Sequence, residues 1–303
     1  MPTASRNVLC LGEAVVDMIC QRPVGDVSEA GMFVPHFGGA VANVALMAAR
    51  SGARMAIAGG VGDDDWGRWL RSQLDRAGVG LDHFKLIKDM PTPLALTTVD
   101  NVGEPSFRIH GKAISTVVNA LPGNVGAVVQ SGGALFISSN TLVGEAERTI
   151  TMKAREHALA LGYPVIFDPN LWMHRWRSRT DAAASANACV PGALLVRTNA
   201  AEARLMTGED DLERAAMAIR QAGARNVVIT DGAQRAILRG KITLDVPGVP
   251  ARVVSTIGAG DALMATLIAR LQITGFDEPA IAVALKEAMV VAAHACERWG
   301  ACD

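Results

Sequence analysis

Between Ala134 and Thr230 the chain repeats one pattern: a short apolar run, then a helix-periodic stretch. The apolar runs are Ala134–Ser138, Val165–Asp168, Ala193–Arg197 and Asn226–Thr230. The helical stretches are Glu145–Leu161, Ala183–Cys189, Ala200–Thr207 and Asp211–Ala222. Strands separated by helices cannot pair as tight hairpins. They need crossovers, and crossovers make a largely parallel sheet covered on both faces. Such sheets bind ligands beyond the carboxyl ends of their strands. Polar residues gather at those ends here: Asp168, Asn170, Asn199, Glu202 and Asp231. The regular part of the pattern begins at Leu121.

The first third is less regular. Val8–Leu11 is a short apolar strand that Gly12-Glu13 ends, with Asp17 just beyond. Arg22–Pro35 is rich in Pro, Gly and acids and leaves the core. Gly38-Gly39-Ala40 leads into a helix with Val41, Ala45, Ala48 and Ala49 on one side. Arg54–Ala58 is the next strand, and Gly62–Gly67 is a turn in which Asp63, Asp64 or Asp65 caps the following helix. Pro93–Asp100 and Pro105–His110 flank the turn-like Asn101–Glu104 and predict a hairpin. With Val15–Pro35 that hairpin predicts a small sheet outside the main body. No internal repeat or long linker appears, so residues 1–303 are expected to form one domain with a minor appendage.

A chain of 303 residues, half of them hydrophobic, has a sizeable core to bury. Its formal charge of −1 leaves no basic excess for nucleic acid. The cysteines, Cys10, Cys20, Cys189, Cys296 and Cys302, are odd in number and widely spaced, which fits free thiols in a reducing compartment. Gly12, Glu13 and Asp17 interrupt any signal-peptide core after Met1–Asn7, and no apolar run is long enough to span a membrane. The expectation is a cytoplasmic enzyme of small molecules, without nucleic-acid or membrane partners.

The chemistry centres on Gly258-Ala259-Gly260-Asp261, which follows Ser255-Thr256-Ile257 and feeds a helix with Leu263, Leu267 and Leu271 on one stripe. Free backbone N–H groups and the helix dipole make such a terminus an anion site, and glycines let a phosphate approach. Asp261 in the first turn is placed to act as a base toward a phosphoryl acceptor. The same four residues also suit a plain helix-capping turn, and the loop alone does not separate the two.

The loop resembles the second signature of the PfkB, or ribokinase-like, carbohydrate kinases. Gly38–Ala45 resembles the first signature region. Gly62–Val79, Asp168-Pro169-Asn170, Asn199 with Glu202, Thr230-Asp231-Gly232 and Gly300-Ala301 follow in the family's order. The resemblance implies a three-layer α/β/α sandwich with a mostly parallel central sheet and a small β-sheet lid, built here from about residues 13–36 and 92–112. It implies transfer of the γ-phosphate of ATP to a sugar hydroxymethyl, on a fructose-like or ribose-like acceptor. Asp261 would be the base, and the Gly258, Ala259 and Gly260 N–H groups would hold the transferring phosphoryl group. Asp17, Gly38, Gly39, Asn43 and Phe107 would meet the sugar. Asn199, Thr230 and Gly232, with Gly258 and Gly260, would meet ATP. Glu202, with Asn199, would position Mg²⁺ and its waters. Each of these residues also has a plain structural alternative: a turn cap for Asp17, an exposed helix position for Asn43, a first-turn acid for Glu202.

The chain departs from the family in three places. Ser255 stands where an Asp usually helps hold a monovalent cation, which argues against potassium activation. Trp172 stands where related branches carry Arg. Ile109-His110-Gly111, with Lys112 next, stands where they carry Phe-Tyr-Arg. The loss of both arginines argues against an acidic sugar, although Arg108, Lys112 or Arg175 could compensate. Trp172, His110 and Phe107 would also suit stacking on a nucleoside base. A nucleoside kinase is therefore the alternative within the class, and a non-catalytic sugar or nucleotide sensor the alternative outside it. Open edges of the small sheet are places for a homodimer to form through the lid. No P-loop, no dinucleotide fingerprint and no histidine pair with metal-ligand spacing occurs.

Overall fold

A computed structural model describes residues 6–110 and 125–303. Gly111, Lys112 and Leu121, which entered the sequence argument, lie outside the described residues. The strands are β1 (Val8–Leu11), β2 (Val15–Pro23), β3 (Val34–Gly38), β4 (Met55–Gly62), β5 (Gly80–Ile87), β6 (Leu94–Val99) and β7 (Pro105–His110). They continue as β8 (Ala134–Ser138), β9 (Val165–Asp168), β10 (Leu195–Asn199), β11 (Asn226–Asp231), β12 (Arg235–Arg239) and β13 (Leu244–Pro247).

Nine of them form one sheet in the order β13-β12-β11-β10-β9-β8-β1-β4-β5. Every pair from β11 to β5 is parallel, and only β11–β12 and β12–β13 are antiparallel. The winding reverses at β1, which lies between β8 and β4. A crevice opens at such a point because the connections leave toward opposite faces. Two apolar clusters fill the two faces. One joins the helices Ala40–Arg50, Ala259–Ile273 and Ala280–Ala295 to the sheet. The other joins the helices Glu145–Ala160, Arg179–Asn187, Ala200–Thr207 and Leu212–Gln221. That is the three-layer sandwich predicted from the alternation.

The second sheet runs β3-β2-β6-β7. β6 and β7 are the expected hairpin, and β2 joins it in parallel register, Val16 opposite Leu94. Several local expectations shift. Gly62 ends β4 rather than opening a turn, because β5, missed in the sequence, pairs along it through Ile87. Asp64 is the cap, accepting from Gly67 N at 2.8 Å. The helix expected at Ala183–Cys189 spans Arg179–Asn187, because the hydroxyl of Ser178 accepts from Asp181 N and starts it earlier. Asp17 lies within β2 rather than capping a turn, and Asn43 is buried rather than exposed.

Candidate active site

A groove of about 1250 Å³ runs beyond the carboxyl ends of the large sheet, beneath the small one. Asp17, Gly39, Asn43, Phe107, Asn199, Glu202, Thr230, Gly232 and Gly258–Asp261 all line it. Residues scattered over most of the chain thus converge on one space. Gly38 is not on the groove wall. It lies behind Asp17, where a Cβ would come within 2.2 Å of the Asp17 carboxylate.

Gly258 opens the helix Ala259–Ile273 with φ of 77°, in the left-handed region. A side chain there would also strike Ala301, whose Cβ stands 2.3 Å from the ideal Cβ position. The glycine therefore serves two needs, the backbone turn and the close approach of the Gly300–Asp303 segment. The helix start carries no side-chain cap, and Ala259 N turns back to the Thr256 carbonyl in a long bond of 3.3 Å.

Asp261 stands in that first turn. Asn43 Nδ2 donates to Asp261 Oδ2 at 2.8 Å. Burial and the nearby Asp168 and Glu13 carboxylates outweigh the Asn43 bond and the Arg197 charge, and push the Asp261 carboxyl up to about 7. Asp17 is raised to about 7 as well, first by burial and then by Asp261 and Glu13. It is 4% exposed, and its Oδ1 has no protein partner. A buried acceptor without a donor is costly unless a ligand supplies one.

Across the groove the carboxylates are paired. Arg197 Nη1 donates to Asp168 Oδ2 at 3.1 Å, and Nη2 donates to Thr230 Oγ1 at 2.8 Å. Its guanidinium also lies against the glycine loop: a Cβ on Gly260 would be 2.6 Å from Nη1. Its Nε is buried with no protein partner. Burial raises both Asp168 and Glu202, and the Arg197 charge opposes the rise in each. Asn199 and Glu202 form a capping box, each side chain bonded to the other's backbone N–H. Glu202 Oε1 further accepts from Leu171 N at 2.8 Å. Both residues line the groove and carry oxygen, the donor type that suits Mg²⁺, although each of these side-chain oxygens already accepts from a backbone N–H, and no group of three or more acidic, His or Cys side chains suited to a metal assembles among the described residues.

Two of the contacts that hold the small sheet over the main body lie at the groove. Phe107 on β7 stacks on Trp172 with centroids 5.2 Å apart and planes 9° apart. The second ring beside Trp172 is His174, not His110. Gly103, in the β6–β7 turn, accepts from Thr256 N at 2.8 Å and from Thr256 Oγ1 at 3.3 Å. Ser255 is fully buried, and its hydroxyl accepts from Ile257 N at 3.1 Å. Of the cations suggested as compensating, Arg175 bonds Asn140 and Arg108 lies 3.9 Å from Asp26. Sequence reasoning missed Arg197 altogether. Its signal was an Arg inside an otherwise apolar strand, two residues before Asn199. Glu13 was noted only as a strand end, yet it is fully buried and accepts from Asn140 Nδ2.

Residues 5–302 match the model of the pfkB family carbohydrate kinases. A fructokinase of Klebsiella pneumoniae is 30% identical over 284 residues, which cover 92% of this chain and 88% of that one. Fructokinase-2 of Solanum habrochaites is 27% identical over 272 residues, covering 89% and 83%. Among solved structures, a double-mutant fructokinase of Vibrio cholerae O395 in a fructose-, ADP- and potassium-bound form superposes with a TM-score of 0.85. It is 27% identical, with 100% of this chain and 96% of that chain covered. A PfkB protein from Polaromonas sp. JS666 gives 0.83 at 26% identity, covering 96% of each chain. The fold is ribokinase-like, and among the described residues no helix is long and apolar enough to cross a membrane. This chain belongs to the PfkB family of carbohydrate kinases, ATP-dependent phosphotransferases that act on an alcohol group.

Proposed function

We propose that this kinase phosphorylates the hydroxymethyl group of a neutral fructose-like or ribose-like sugar, with Asp261 as its base. The observation that carries the reading is Asp261 itself. It lies at an uncapped helix N-terminus, its carboxylate fixed by Asn43 and its pKa near neutrality. The acceptor hydroxyl donates its proton to Asp261 as its oxygen attacks phosphorus. The N–H groups of Gly258, Ala259 and Gly260 receive the charge that develops on the transferring group. Arg197, against Gly260, adds a fixed positive charge on the same side.

Asp17 and Asn43, with Gly39, orient the sugar, and Phe107 covers it. Gly38 acts indirectly, by leaving Asp17 its space. Asn199, Thr230 and Gly232 take the nucleotide side. Glu202 and Asn199 would hold Mg²⁺ through its waters, and the metal neutralises phosphate charge when bound. β2, β3, β6 and β7 form the lid, which excludes water from the reacting atoms. Its free edges, β3 and β7, are where a homodimer would pair. Asp17, Asp261 and Glu13 cluster at the sugar end, a charge pattern that disfavours an acidic sugar. One observation favours a second acceptor class: the Phe107–Trp172–His174 ring array suits a nucleoside base.

A substrate panel tests both. Fructose, ribose, ketodeoxygluconate, adenosine, inosine, cytidine and pseudouridine are compared by kcat/KM at saturating MgATP. The expected result is a neutral sugar leading the panel by tenfold or more, on the order of the discrimination one unpaired polar contact gives. A nucleoside at the top overturns the sugar reading.

A further inference from the structure

We propose that Cys302 is a positioning residue for the base: its thiol donates to Asn43 Oδ1 and so holds the Asn43 amide with Nδ2 toward Asp261. The proposal rests on Asp261 being the base. The chain of contacts is short. Cys302 Sγ lies 3.4 Å from Asn43 Oδ1, and Asn43 Nδ2 lies 2.8 Å from Asp261 Oδ2. Asn43 is 3% exposed although it lines the groove, so its amide is held mainly by protein partners.

An amide has two faces of opposite polarity. Turned over, it would present Oδ1 to a carboxylate, and the base would lose the one side-chain bond that favours its ionised form. The thiol opposes that turn because it can donate but is a poor acceptor. Burial and the carboxylates of Asp261, Asp17 and Asp303 hold Cys302 well above the usual thiol range, so it keeps its proton.

The segment carrying Cys302 is itself fixed at several points. Arg50 Nη1 donates to the Cys302 carbonyl at 2.6 Å. Asp303 accepts from Gly300 N at 2.9 Å and pairs with His36 Nδ1 at 2.8 Å. The other nitrogen of His36 faces Gln21 Nε2 at 3.0 Å, which makes Nδ1 the protonated one. Ala301 packs against Gly258. The segment therefore touches the glycine loop through one residue and the base's partner through the next.

The groups facing Asp261 are Asp17 on β2, Glu13 after β1, Asp168 at the end of β9, Arg197 on β10, and Cys302. Changing Cys302 leaves the other four in place, so a moved titration reports the amide. The experiment follows the Asp261 carboxyl by ¹³C NMR in protein labelled at aspartate, with Asp261→Asn identifying the signal. No substrate is needed. In Cys302→Ala the midpoint moves to higher pH, since the ionised form loses its donor, and Cys302→Ser returns it toward the wild-type value. With D-fructose and MgATP, turnover falls about five- to twentyfold in Cys302→Ala, the worth of one hydrogen bond of this kind. In an Asn43→Ala background, Cys302→Ala adds no further shift.

An unmoved midpoint in Cys302→Ala overturns the proposal. So does an equal shift with and without Asn43. If the alanine variant does not fold, Cys302→Val fills the space without a donor and the same midpoint decides. An Asp261→Asn enzyme that keeps turnover defeats the base assignment instead. An inactive Asp261→Asn beside an unmoved midpoint defeats only the role of Cys302.

Discussion

The two ends of the groove handle buried carboxylates in opposite ways. At the glycine-loop end, Asp17 and Asp261 face each other and Glu13 without a bonded cation, and both titrate near 7. At the other end, Asp168 and Glu202 share the field of Arg197 and are tied to backbone N–H groups. The first arrangement keeps a carboxylate poised to take a proton. The second holds its carboxylates in place by bonds to Arg197 and to backbone N–H groups. Burial raises all four, and the Arg197 charge opposes that rise in Asp168, Glu202 and Asp261 but not in Asp17.

The contrast is broken most completely by Asp261→Asn, which keeps the Asn43 contact but removes the base. Turnover is expected to fall by about 10²–10⁴ with nucleotide affinity largely kept, read by steady-state kinetics and by calorimetric titration with ATP. Arg197→Ala attacks the opposite end. It leaves Asp168 buried without its cation and removes charge beside Gly260, so both stability and kcat should drop, the latter by about 10–10². Circular dichroism melts run alongside kinetics separate the two effects.

The pH profile sharpens the comparison further. As the proposed base, Asp261 would act only when ionised, so kcat/KM should rise about tenfold per pH unit below 7 and level off above it. Asp17→Asn should move that rise to lower pH, because it removes a neighbouring negative charge. The same substitution bears on stability. A carboxyl that titrates near 7 when folded and near 4 when unfolded binds protons more tightly folded, so its contribution to stability falls as pH rises from about 4 to about 7. Asp17→Asn should therefore melt roughly 2–5 °C higher than wild type at pH 8 and no higher at pH 4, while KM for the sugar increases. The smallest expected effect concerns Ser255. With a hydroxyl where the family resemblance leads to an acid, replacing K⁺ by Na⁺ at fixed ionic strength should change the rate less than about twofold.

The sheet was legible because its signal is local: each of β8 to β10 is an apolar run with a helix after it, and β11 is one more apolar run at the end of that series. The residues that line the groove were legible through the order of their motifs, not through any one of them. What escaped the sequence depends on neighbours far along the chain. β5 is recognisable only beside β4, and Arg197 only once Asp168, Thr230 and Gly260 surround it. For Asn43, read as a sugar contact, the exposed position stayed open as an alternative because its helix was judged alone. Its bonds to Asp261 and Cys302 come from distant parts of the chain. Cys302 had no local signal at all, since its partner is 259 positions away in sequence.

The Gly103 carbonyl takes both donors of Thr256. Together with the Phe107–Trp172 stack it joins the two sheets over the groove. Each such contact is worth about 1 kcal/mol. The fastening at the groove mouth is thus light, while the packing of Ile19 and Val99 against Ile257 and Ala301 keeps the rest of the small sheet seated, so the mouth can loosen without the sheet leaving its place.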